Sequence, residues 1–241
     1  MPKIICKKCG NENSVKNGVV RGKQRYRCNG CRLNFVEGDG RSSKVNKAKK
    51  ALMLLLYGLG KMSFNMFAVI FDMPVSLVYF HIRKMGLAMH EPVVPDGVRN
   101  IQFDEMWHFI GSKHNKLWVI KAIDADSGNV IAWVLGKRDK ATFKRLYDKV
   151  RHLKDCMFYT DDWNVFSLVL PKGRHKIGKE YTVAIEQNNS NTRHHLGRFT
   201  RRTKVVSKCE EMVDISLKIW YQLTNGNLFT KFQGEVLSIF G

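Results

Sequence analysis

Two cysteine pairs, Cys6-Lys7-Lys8-Cys9 and Cys28-Asn29-Gly30-Cys31, constrain the fold of this chain more than any other feature. A C-x2-C turn brings two thiolates within reach of one ion, and two such knuckles complete a tetrahedral site of four sulfurs. Gly10 and Gly30 stand where knuckle turns favour a residue tolerant of positive φ. A redox pair needs one C-x-x-C rather than two at this separation. Cys6, Cys9, Cys28 and Cys31 are therefore expected to hold one structural Zn2+ that does no chemistry. Between the knuckles, NGVVRGKQRYRC alternates as a small hairpin does, with Arg21-Gly22-Lys23-Gln24 as its turn. Residues 1–44 read as a zinc ribbon. This stretch carries eleven Lys and Arg against three acids, and Arg21, Lys23, Arg25 and Arg27 lie in or beside the hairpin, where phosphates are the expected contact.

The net charge is +20 at neutral pH, spread along the chain rather than held in a tail. A globular chain this basic usually meets a polyanion, nucleic acid first, although composition is equally compatible with a merely solubilising excess. Hydrophobic residues make up 44% of the chain, which is enough for a core and argues against disorder. No apolar run reaches the roughly 18 residues needed to span a bilayer. The N-terminus lacks the apolar centre of a signal peptide. The expected location is cytoplasmic, on the nucleoid when DNA is bound, with no membrane partner. In a reducing compartment Cys156 and Cys209 are expected as incidental buried thiols.

Residues 45–90 have helical spacing. VNKAKKALMLLLYGLG ends in Gly58 and Gly60 as expected stops, and MSFNMFAVIFDM follows with Ser63 as N-cap. SLVYFHIRKMG makes a third helix, with Ser76 as expected N-cap and Gly86 as expected C-terminal stop. Helix, tight turn, helix is helix-turn-helix organisation, and its second helix would offer Ser76, Tyr79, His81, Arg83 and Lys84 to a groove. Three-helix patterns are also common as plain structure. Residues 91–99, EPVVPDGVR, read as a linker.

From residue 100 the pattern changes to strands. IQFDEMWHFIG, KLWVIKAIDADSG and NVIAWVLGKRD form a predicted antiparallel meander with turns at SKHN and DSGN. Residues 140–153 are an amphipathic helix, and CMFYTDDW is a fourth strand expected to lie parallel to the first. A polar helix opens at Glu186. Strand-strand-strand-helix-strand-helix is the start of an RNase H-like α/β fold, so residues 100–241 are expected to form such a domain behind the ribbon and an all-α helix-turn-helix domain. In that topology the first and fourth strands are neighbours. Asp104 interrupts an otherwise apolar strand, where an unpaired carboxylate is costly to bury. The Asp161-Asp162 pair ends the fourth strand. Carboxylates from three elements suit a pair of hard divalent cations, which can activate a hydroxyl and stabilise a leaving oxygen in phosphodiester transfer. Glu105 is expected on the opposite strand face from Asp104, because strand side chains alternate. Asp124 and Asp126 are expected to shape a turn. A Glu at a helix start is as often a dipole partner as a ligand, and alternation says only that Asp161 and Asp162 point to different faces.

These segments resemble the IS1-family transposases. FDEMWHFIGSK is similar to their D-E-x-W segment and YTDDWNVF to their T-D-x-W. IEQNNSNTRHHLGRFTRRTKVVSKCEEM is similar to their E-x-x-N-x-N-x-R stretch and the basic run after it. Between Asp161 and Glu186 lie 24 residues, the spacing of that family. The ribbon and helix-turn-helix match too, so the resemblance covers nearly the whole chain. It implies a DDE transposase with Asp104, Asp161 and Glu186 as the catalytic, metal-binding acids for two Mg2+ or Mn2+, Asp162 filling the variable position. It further implies partners in double-stranded DNA, both element ends and target, and at least a homodimer to pair two ends. Asn189 and Arg193 share the helix face of Glu186 and are expected to orient it or hold the scissile phosphate. Arg198, Arg201, Arg202, Lys204 and Lys208 are expected to track the DNA backbone. The rival readings are a resolvase-like RNase H-fold nuclease and a non-catalytic DNA-binding regulator.

Overall fold

The computed structural model describes residues 4–6, 11–36 and 47–238. The chain divides into two compact units, Met1–Asn46 and Lys47–Gly241. The first holds a three-stranded antiparallel sheet of β1 (Ser14–Val20), β2 (Lys23–Cys28) and β3 (Asn34–Val36), in that order. Val20 pairs with Lys23, so the hairpin turn is the two residues Arg21 and Gly22, both at positive φ, as a type I′ turn requires. Tyr26, Cys28 and Phe35 face a small core with Cys6, which leaves Lys23, Arg25 and Arg27 on the opposite face of β2.

The second unit is built on a five-stranded sheet in the order β6-β5-β4-β7-β8: β4 (Asn100–Phe109), β5 (Lys116–Asp124), β6 (Val130–Gly136), β7 (Met157–Thr160) and β8 (His175–Ile177). The first three form the antiparallel meander, and β7 and β8 run parallel to β4. The sheet is therefore mixed and the unit α/β. Alternation along β4 sends Ile101 and Phe103 into one core with α4 (Lys140–Val150) and α5 (Asn164–Val169), while Met106 joins a second core with α6 (Val183–His195) and α7 (Glu210–Thr224). Both faces of the sheet are covered, which is why β5 and β6 read as near-continuous apolar runs. Asp139 caps α4 by accepting from the Thr142 N–H at 2.8 Å.

The helices before the sheet belong to this same unit. α1 (Lys47–Leu59) and α3 (Val75–Leu87) both pack on α7, with α2 (Phe64–Ile70) between them in sequence. α2 and α3 meet at 108° across a four-residue break. Ser63 caps α2 as expected, accepting from the Met66 N–H. α1 and α3 end within a residue of Gly58 and Gly86, near the expected stops. A methyl group on Gly58 would sit 2.6 Å from Leu223 Cδ1, and one on Gly86 would overlap Ile215 Cγ2. These last-turn glycines are also close-approach points against α7. Pro74, not Ser76, is the N-cap of α3. The C-terminal α8 (Leu228–Leu237) packs against α1. Among the described residues no single helix is long and apolar enough to cross a membrane.

Candidate active site

The site forms where β7 stops. Gln102 pairs with Tyr159, so two residues further along each parallel strand Asp104 and Asp161 come level, just past the end of β7 at Thr160. Ligand oxygens of Asp104, Glu105 and Asp161 all lie within 4.8 Å of one another. Glu186 stands outside this group but lines the same cavity of about 500 Å3 with Asp104, Glu105, Asn189, Ser190, Arg193 and Arg201. It is exposed on the first turn of α6, and Thr182 Oγ1 reaches its Oε1 at 3.4 Å. Asp162 is exposed, whereas Asp161 is half-buried and accepts from the Trp163 N–H at 3.1 Å. Asp124 shapes its turn as expected, accepting from Ser127 Oγ and from the Asp126 N–H.

Burial, with crowding second, perturbs Asp104 and Glu105. Burial pushes Asp104 up to about 6, against the pull of the Glu105 N–H and the Asn189 side chain, and Asp161 and Glu186 add repulsion. Burial likewise lifts Glu105 to about 7, against the opposing pull of Arg138. Carboxylates held this close are stabilised either by protons or by a cation.

Side chains from the sheet stitch α6 in place, and this is what sets Glu186 beside Asp104. Gln102 Oε1 accepts from the Ile185 N–H at 2.9 Å, satisfying an amide that the helix start leaves without an intrahelical partner. Asn189 Nδ2 donates to Asp104 Oδ2 at 2.8 Å. Arg193 donates to the Trp107 and Phe199 carbonyls. Lys121, the cross-strand partner of Asp104, is 1% exposed and donates to Thr192 Oγ1 at 2.7 Å and Asn188 Oδ1 at 3.1 Å. Burial lowers its ammonium to about 7, with Asp104 pulling the other way. Sequence reasoning passed over Gln102 and Lys121. The signal for Lys121 was the one that picked out Asp104, a lone charge in an apolar strand.

Several expected DNA contacts are placed otherwise. Arg198 is 6% exposed and its guanidinium lies 4.8 Å over Tyr57 and 5.4 Å over Phe64. A planar, weakly hydrated cation can be buried on aromatic faces, so Arg198 fastens α1 and α2 to the sheet unit instead of tracking a phosphate backbone. Arg193 gives two donors to carbonyls and still lines the cavity of Asp104 and Glu186. Arg83 is paired with Glu211 of α7, Nε to Oε1 at 2.5 Å and Nη2 to Oε2 at 2.8 Å. His81 is half-buried, with Nε2 enclosed. Arg25 donates to the Asn17 carbonyl. Exposed and available are Arg21, Lys23 and Arg27 on the ribbon, Ser76, Tyr79 and Lys84 on α3, and Arg201, Arg202, Lys204 and Lys208 after α6.

In the ribbon, sulfurs of Cys6, Cys28 and Cys31 lie within 4.8 Å of one another, and Cys6 and Cys31 are 3.5 Å apart, too far for a disulfide. Cys28 Sγ accepts from the Cys31 N–H at 3.5 Å, the amide-to-sulfur contact of a knuckle. Cys9 lies outside the described residues. Three converging thiols suit Zn2+.

A mixed sheet carrying a carboxylate cluster where β7 ends beside β4, on a strongly basic chain, fits a protein that acts on nucleic acid. The IS1 transposase family profile matches residues 98–225, and the chain belongs to that family. It is 34% identical over 113 residues to the insertion element IS1 protein InsB of Shigella flexneri, covering 47% of this chain and 86% of that protein. An IS1 InsB of Escherichia coli K12 is 34% identical over 113 residues, covering 47% and 68%. A chain of a simian T-cell lymphotropic virus intasome structure aligns over 70% of this chain and 67% of its own length at 13% identity, with a TM-score of 0.37.

Proposed function

We propose that this chain binds the terminal inverted repeats of an insertion sequence and catalyses divalent-metal-dependent cleavage and strand transfer of double-stranded DNA. The observation that carries the proposal is the meeting of Asp104 and Asp161 past the end of β7, with Glu186 lining a cavity beside Asp104. The strand order, a meander followed by two parallel strands, supports an RNase H-like reading of the unit. The donor set fits hard cations, being all oxygen and crowded at Asp104 and Asp161, with Asn189 Oδ1 also enclosed and without a hydrogen-bond partner. Two Mg2+ or Mn2+ held by Asp104, Asp161 and Glu186 would supply Lewis acidity at the attacking and leaving oxygens of the phosphodiester.

The chain's own residues do the positioning. Asn189 holds Asp104, Gln102 and Lys121 hold the helix that presents Glu186, and Arg201 on the cavity wall faces the scissile phosphate. Water then cleaves one phosphodiester at each element end to leave a 3′-hydroxyl. That hydroxyl attacks target DNA in a second displacement, and no bond to the protein forms. One Zn2+ on Cys6, Cys9, Cys28 and Cys31 would hold the ribbon, whose Lys23 and Arg27 face phosphates. The 108° bend between α2 and α3 fits a helix-turn-helix, with Tyr79 and Lys84 towards the groove. Pairing two ends requires at least two copies of the chain.

A labelled element-end duplex and a target plasmid test this reading. Joined product with Mg2+ is expected, and Asp104→Asn, Asp161→Asn and Glu186→Gln should each remove it. Cleavage without joining would point to a resolvase-like nuclease, and binding without cleavage to a regulator.

A further inference from the structure

We infer that Glu105 is a further carboxylate of the cation site, supplying an oxygen to a hard divalent metal alongside Asp104 and Asp161. The inference deepens the active-site reading above and rests on it. Alternation assigns Asp104 and Glu105 to opposite faces of β4, and inside a sheet the neighbouring strand would keep them apart. Here that neighbour has ended. β7 stops at Thr160, level with Phe103, so past this point no backbone separates the two faces and Asp161 can approach both acids. The result is the three-way approach of oxygens within 4.8 Å.

The state of the Glu105 side chain is the independent observation. It is 5% exposed. Oε1 accepts from Arg138 Nε at 2.7 Å, and that guanidinium is itself held 4.8 Å over Trp163 and 5.3 Å over Trp118. Oε2 is enclosed and has no hydrogen-bond partner. Asp104 differs: Oδ1 accepts from the Glu105 N–H at 2.8 Å and Oδ2 from Asn189 at 2.8 Å. A buried carboxylate oxygen without a donor is costly, and it persists where something else supplies the positive charge. Arg138 fixes one oxygen of Glu105 and leaves the other for a ligand. Asn189 Oδ1, a second enclosed acceptor without a partner, borders the same cavity. Two idle acceptors beside converging carboxylates call for a cation rather than for a hydrogen-bond acceptor or an apolar group.

Mn2+ binding tests this directly and requires no catalysis. The full-length chain, prepared with Zn2+, is titrated with Mn2+ in the absence of DNA, and the free-ion EPR signal reports occupancy. Glu105→Gln preserves shape and an acceptor for Arg138 but removes the ligand charge, and Mn2+ affinity should fall about tenfold or more. Glu105→Asp, which keeps the charge but withdraws it by one methylene, should also weaken binding, and it serves if the Gln variant does not fold. Unchanged Mn2+ affinity in both variants, with Asp104→Asn weakened, overturns the role of Glu105 and leaves the active-site reading standing. A wild-type chain that joins no DNA ends, yet loses Mn2+ affinity in Glu105→Gln and Asp104→Asn, overturns the transposase reading and supports the metal site. Absence of Mn2+ binding to the wild type overturns the inference.

Discussion

Asp161 and Asp162 are chemically identical neighbours, and the end of β7 separates them. Asp161 remains level with Asp104 and shares its carboxylate cluster, while Asp162 turns out to solvent. Asp162→Gly should therefore keep strand-transfer activity within a fewfold of wild type. Asp161→Asn, removing one of the converging charges, should lower it by about 10³-fold or more, in keeping with the several kcal/mol such a site supplies; single-turnover rates on one element-end duplex compare the two. His108 is a residue that the sequence did not single out. It is 2% exposed, bonded Nε2 to Ser207 Oγ at 2.9 Å and stacked on Phe199. Burial, then Arg198 and Arg193, lower it from 6.5 to about 4. The unfolded chain takes up a proton below pH 6.5 that the folded chain refuses until about pH 4. His108 is thus no burden above pH 6.5 and costs up to about 3 kcal/mol of stability as pH falls through that window. Denaturant unfolding at pH 7.5 and pH 5 should show His108→Gln gaining on wild type at the lower pH.

At the scale of elements, helical periodicity located α1, α2 and α3, but two of their glycines do more than end a helix. Gly58 and Gly86 look like stops in sequence, because glycine ends helices more often than it fills them. What requires glycine at these two last-turn positions is α7, more than a hundred residues further on, whose Leu223 and Ile215 occupy the space a side chain would take. Gly86→Ala should force α3 off α7 and cost about 1–3 kcal/mol, read as a lower denaturant midpoint with the slope unchanged. An Ala that merely improved helix propensity would raise the midpoint instead. In the first unit the hairpin was legible from its alternating run, and three of the four cysteines do converge. If these cysteines hold Zn2+ as proposed, a chelator should release one Zn2+ per chain and abolish the dispersed amide resonances of β1–β3, while the thermal transition of the α/β unit persists.

Over the whole molecule, the +20 charge is the property most open to a bulk measurement. If the exposed cations of the ribbon, of α3 and of residues 201–208 meet six or more phosphates, DNA affinity should fall by about 10³-fold or more between 50 and 200 mM salt. Replacing Arg201 by Gln should reduce the slope of log affinity against log salt by about one. Replacing buried Arg198 should leave that slope unchanged and lower stability instead. A sequence of basic residues cannot distinguish these two arginines, because charge counts carry no information on burial.

The sequence by itself determined the antiparallel meander, the helix after it and the strand that returns parallel to β4, because each is written in short-range periodicity. Only the tertiary structure decided which cations face solvent, that Gln102, Asn189 and Lys121 fasten α6 beside Asp104, and that Glu105 reaches across the strand end to its neighbours. Those outcomes depend on where one strand stops against another and on which aromatic rings meet a guanidinium. Both are long-range packing relations, and local periodicity does not encode them.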